Sequence, residues 1–190
     1  MEFLRNTRLK IGNSILVKKA ARLNRKVHYS NIGQVKTIGI VWDASRSQDF
    51  SSLSKFFQKM HERGIDVRII GYYPGKELPD QYTALRYLTC IRKDEINLFY
   101  MPNSQESEFF IKNRFDILID INFDAGLPLS YITSLSISGF KVGLFDSYEG
   151  NSTFDLMMEI KKPVQIENYL NEIMRYLEMI NSGSADKSAK

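Results

Sequence analysis

Four short apolar runs dominate this chain: Thr37 to Trp42 (TIGIVW), Asp66 to Tyr73 (DVRIIGYY), Phe115 to Ile121 (FDILIDI) and Lys141 to Phe145 (KVGLF). Each is the length of a strand and too short for a membrane span. Their near-continuous hydrophobicity is that of strands covered on both faces, which is the condition of a parallel sheet. Helical patterns lie between them. Phe50 to Arg63 reads as a helix closed by Gly64, a favoured C-terminal cap residue. Glu106 to Asn113 reads as a short helix, and Pro128 to Ser138 as one with proline in its first turn, ended by Gly139. Gln165 to Ile180 closes the series, with Ile166, Tyr169, Leu170, Ile173, Tyr176, Leu177 and Ile180 on one face. Leu98 to Met101 and Phe154 to Ile160 are further strand candidates, and Asp80 to Cys90 is ambiguous. Strand–helix alternation with short connections predicts an α/β fold. We expect a Rossmann-like, mainly parallel sheet of five or six strands with helices on both faces and right-handed crossovers.

The charge is unevenly placed. Residues 1–36 hold nine Lys/Arg against one acid, a local +8, whereas the whole chain of 190 residues carries +4. The remainder is therefore −4. Leu16, Ala20, Leu23 and Val27 form an apolar stripe at helical spacing, and Lys18, Lys19, Arg22, Arg25 and Lys26 lie on neighbouring faces. This predicts an amphipathic basic helix from Asn13 to Val27. The organisation expected is a basic helical arm over residues 1–35, one α/β domain over 36–181, and a disordered polar tail over 182–190. The sequence has no apolar stretch of spanning length, no signal-peptide pattern and a single cysteine, Cys90, which together predict a soluble cytoplasmic protein.

Two functional readings follow. In the first, Lys18, Lys19, Arg22, Arg25 and Lys26 track the phosphates of RNA or of a ribonucleoprotein, and the body is non-catalytic. The same face could instead meet an anionic membrane peripherally, or be a solvated surface of a docked helix. In the second, a phosphorylated or nucleotide ligand lies beyond the carboxyl ends of the strands, where Asp43, Ser45, Asp120 and Asp146 gather. Asp, Asn, Ser and Gly also follow strands simply because they turn chains. A protein-interaction scaffold is a third possibility.

Common catalytic signatures are missing. The segment after the first strand is DASRSQD, with neither a GxxxxGK[ST] nor a GxGxxG phosphate loop. There is no GxSxG elbow. His28, His61 and Cys90 are too few for a typical zinc site without carboxylates. No cofactor and no metal are expected, and Lys141, at the start of its strand, lies at the wrong end of the sheet for a receiver-type phosphoacceptor.

The stretches VWDAS, GYYPGKELP, FDILIDIN, LPLSYITSLSISGFKVG and FDLMMEI, across most of residues 16–181, resemble a bacterial family known only as a domain of unknown function. That resemblance implies an α/β fold and no established activity. FDILIDIN with LSYITSLSISGFKVG is more loosely similar to one strand–helix–strand unit in the N-terminal lobe of heptosyltransferase-type glycosyltransferases. Those enzymes need a second lobe for the sugar nucleotide, and this chain has no residues left to build one, so the likeness implies architecture alone.

Overall fold

A computed structural model describes residues 2–29, 31–123, 126–145, 153–159 and 165–180. Six strands form one sheet: β1 (Thr37–Asp43), β2 (Asp66–Tyr73), β3 (Leu88–Arg92), β4 (Ile117–Ile121), β5 (Phe140–Leu144) and β6 (Leu156–Met158). Their order is β3-β2-β1-β4-β5-β6, and every pairing is parallel. The helices are α1 (Glu2–Ala20), α2 (Phe50–Glu62), α3 (Asp80–Thr83), α4 (Gln105–Lys112), α5 (Leu127–Leu135) and α6 (Ile166–Met179). The strand order turns back between β1 and β4, the doubly wound arrangement with its switch point at that gap.

Alternate residues of the strands feed two cores. Ile38, Ile40 and Trp42 of β1, with Ile117, Ile119 and Ile121 of β4, face α2 and α6. Val41, Ile70, Ile91 and Leu118 face the other way, onto Phe110, Leu129 and Ile132 of α4 and α5. Burying both faces explains why these strands read as unbroken apolar runs. Gly64 ends α2 with φ +73°, a conformation open to glycine at little cost.

The N-terminal helix differs from its expected span. It covers Glu2–Ala20 rather than Asn13 to Val27, and residues 21–29 continue as a turn and irregular chain. The stripe of Leu16, Ala20, Leu23 and Val27 does not govern it, because Val27 is exposed. The face used is Leu9, Ile15 and Leu16, which packs on Leu127, Tyr131 and Met101. Gly12 permits the approach: a Cβ there would collide with the Phe99 carbonyl and press on Leu127. The arm is thus docked on α5 as an outer layer.

Leu98 to Met101 is not a strand. Asn97 accepts hydrogen bonds from the Phe99 and Met101 backbone amides at 2.9 and 3.2 Å, folding the segment into a turn bridged between Ile96 and Pro102. Tyr100 within it has φ +61°, an unusual position for a bulky side chain. The third strand comes from the ambiguous segment instead, as Leu88–Arg92. Of the last strand candidate, Leu156–Met158 forms β6, and Ile160 lies outside the described residues. No helix among the described residues is long and apolar enough to cross a membrane.

Candidate functional site

The switch point is the first place to look for chemistry, since chain direction there opens a crevice beyond the carboxyl ends of β1 and β4. Asp43 ends β1. Its Oδ1 accepts from the Ser45 backbone amide at 3.0 Å and from Ser45 Oγ at 2.7 Å, so these two residues form a self-capping turn. Arg46 pairs with Asp49 at 2.7 Å and lies 5.7 Å from the Phe123 ring centroid, bridging the ends of β1 and β4. Asp146 lies outside the described residues.

Asp120 pairs with Val41 in register, two residues short of Asp43. Strand geometry then puts the Asp43 and Asp120 Cα atoms roughly 8 Å apart on the same face. The two carboxylates nevertheless serve different neighbours. Asp120 is only 7% exposed and accepts from Thr133 Oγ1 of α5 and from the Asn122 amide at 2.7 Å. Burial pushes its carboxyl up to about 6, against the opposing pull of those donors and of Lys141.

Lys141 has its Cα partner at Leu118, near the beginning of β4 as expected, but its side chain is buried. Its Nζ donates to the Ser134 carbonyl of α5 at 3.1 Å. Burial, and then the Arg25 charge, bring the ammonium down to about 7, while Asp155 and Asp120 act to raise it. The group is a buried polar network under α5, closed to bulk solvent. The sequence signal for it was an ionisable residue inside an otherwise apolar run.

The five cations of the arm separate into two kinds. Arg25 donates to both Asp155 oxygens at 2.8 and 2.7 Å and to the carbonyls of Ser138 and Gly139 at 3.2 Å each. It fastens the segment after α1 to the loop before β5 and to the chain entering β6. Lys19 donates to the Tyr131 hydroxyl at 2.7 Å. Lys18, Arg22 and Lys26 are exposed and enter no ion pair among the described residues. A phosphate-binding face therefore reduces to those three, with Lys19 beside them.

Two cavities flank α4. One, about 330 Å³, lies between α1, α4 and α5 and has Lys19, Lys112 and Tyr131 in its wall. The other, about 390 Å³, lies at the β3 edge of the sheet, with Arg68, Arg86 and Phe109 around its mouth. Arg68, Arg86, Phe109 and Lys112 were not identified from sequence. They are spread over a strand, the turn before β3 and a helix, and no local pattern unites them.

The remaining candidates are ordinary. Burial pushes the Cys90 thiol up to about 12, so its nucleophilic thiolate is scarce. His61 is exposed on α2, its ring 5.9 Å from that of Phe57. Among the described residues no three His, Cys, Asp or Glu side chains are grouped to hold a metal ion.

A family model described as a family of unknown function (DUF6913) matches residues 8–180. No curated protein matches the chain.

Proposed function

The chain belongs to this family, DUF6913, and we propose that it is a non-catalytic cytoplasmic module that binds RNA through the exposed cations beside its docked N-terminal helix. One observation carries the reading. Lys18, Arg22 and Lys26 stand exposed with no carboxylate partner among the described residues, although α1 is already packed on α5. Their exposure does not await docking of the helix. Exposed lysine and arginine on a rigid support contact phosphates and release counterions, which drives binding without reading sequence. The switch-point residues support a ligand site less well, because Asp43 caps its own turn and Asp120 is enclosed.

The test is fluorescence anisotropy of a labelled RNA titrated with the full chain, the triple variant Lys18→Ala, Arg22→Ala, Lys26→Ala and the wild type compared across salt. We expect the triple variant to bind at least tenfold more weakly and to lose about two units of the salt slope, near 0.7 per single-strand phosphate contact. Equal binding by the two proteins, or no binding by either, removes the reading.

One observation favours anionic membrane contact as a second reading. Phe3, Leu4 and Val17 of α1 are 81%, 60% and 67% exposed, among Arg5, Arg8 and Lys10. Co-sedimentation with vesicles containing phosphatidylserine, lost on Phe3→Ser with Leu4→Ser, would support that alternative.

A further inference from the structure

We propose that the cavity between α4 and the β2–β3 edge receives an unpaired base of single-stranded RNA, with Phe109 as its stacking surface and Arg86 as a phosphate contact. This rests on the RNA reading above and adds the form of RNA and the place where a base lies.

The cavity has the parts such a ligand needs. Its volume of about 390 Å³ falls in the usual range of ligand clefts, about 300–1,000 Å³. Ile70 and Phe110 make a buried apolar floor, and Phe109, on the exposed side of α4, is 63% exposed. An exposed phenyl ring beside a cleft accepts any base, because every base presents a π-face. Thr89, Gln105 and Glu106 bring a hydroxyl, an amide and a carboxylate to the rim, donors and acceptors for a base edge.

The charge at the mouth is positive and loosely held. The Arg68 guanidinium lies 6.0 Å from the Phe109 centroid, and its pair with Asp66, at 3.4 Å, is half exposed on both sides. Such a pair is weak and screened by salt. Arg86 is exposed and enters no ion pair among the described residues.

Helix α4 borders both this cavity and the one that reaches the arm. Lys112 sits one turn of α4 beyond Phe109, holds only an exposed ion pair with Glu108 at 3.0 Å, and lines the second cavity together with Lys19. Arg114, just past α4, is exposed. A backbone can therefore pass from Lys18, Arg22 and Lys26 along Lys19, Lys112 and Arg114 to Arg68 and Arg86. A duplex keeps its bases paired and stacked, so only a single strand or a loop can place one in the cleft.

The experiment uses the full chain and two labelled probes, a twelve-residue oligouridine and the same sugar–phosphate backbone without bases. Wild type is expected to prefer the oligouridine about tenfold, the usual scale of one stacked base. Phe109→Ala, on an exposed face, is expected to erase that preference while leaving affinity for the abasic strand unchanged. Arg86→Ala is expected to weaken both probes and shorten the salt slope by about 0.7. Equal binding of the two probes by wild type, or a tenfold preference kept by Phe109→Ala, overturns the base site and leaves the phosphate reading standing. Binding of neither probe overturns both.

Discussion

Arg25 clamps Asp155 with both guanidinium arms, at 2.8 and 2.7 Å, across 130 positions of sequence. Each side chain is 13% exposed, and Asp155 also accepts from the Lys141 amide at 2.8 Å. A cation that composition groups with a basic N-terminal arm is thus a fastening between the N-terminal segment and the β5–β6 side of the sheet. Removing it leaves a largely buried carboxylate without its partner. Arg25→Ala is expected to lower unfolding free energy by about 3 kcal/mol in urea titrations. A loss below about 0.5 kcal/mol would place Arg25 with the ordinary surface pairs.

The Asp120–Lys141 network makes stability depend on pH in a specific sense. Asp120 titrates near 6 when folded, above its unfolded value near 3.8, so the folded state holds the extra proton between those limits. Stability then falls as pH rises from about 4 to 6. Lys141 titrates near 7 when folded, below its unfolded 10.5, so the unfolded state holds the extra proton there and stability rises from about pH 7 to 10. Together they produce a minimum between about pH 6 and 7. Thermal unfolding from pH 4 to 10 is expected to show this minimum superimposed on other titrations. Asp120→Asn is expected to flatten the acid limb, and Lys141→Met the alkaline limb.

At Gly12, α1 and the turn after β3 approach so closely that a Cβ would meet the Phe99 carbonyl. Gly12→Ala trades better helix propensity, about 1 kcal/mol, against collision with the backbone carbonyl of Phe99. Backbone does not yield as a flexible side chain does. Gly12→Val is expected to destabilise docking by about 1–3 kcal/mol and to admit protease into residues 2–20 before the body unfolds. Unchanged protection in limited proteolysis would show that the close approach has no energetic weight.

The Cys90 thiol, held neutral by burial, is expected to react with iodoacetamide at pH 8 many times more slowly in the native chain than in urea. Comparable rates would contradict the shielding of this half-buried thiol on the edge strand β3.

Much of the fold was legible because its signals are local. FDILIDI and TIGIVW carry apolar residues at consecutive as well as alternate positions, and a strand does so only if both its faces are covered. Gly64 ends a helix because its φ is positive. The register of the N-terminal helix was not legible in this way. Its buried face includes Gly12, whose role is the absence of a side chain, and a hydrophobic count gives such a position no weight. Leu23 and Val27 were counted toward a helix although the chain beyond Ala20 is drawn out by Arg25 and by the His28 amide bonding to the Gly139 carbonyl at 2.9 Å.

The sequence by itself determined the class of fold, the approximate place of most elements and the concentration of positive charge in the first 36 residues. These follow from backbone geometry and from side-chain periodicity, which act over one or two turns. Only the tertiary structure decided which cations remain available. Arg25 is engaged by Asp155, 130 positions away, while Arg68 and Arg86 are brought beside Phe109 by the pairing of β2 with β3. Availability of a charge depends on what the fold places within a few ångströms of it, and one-dimensional order does not encode that distance.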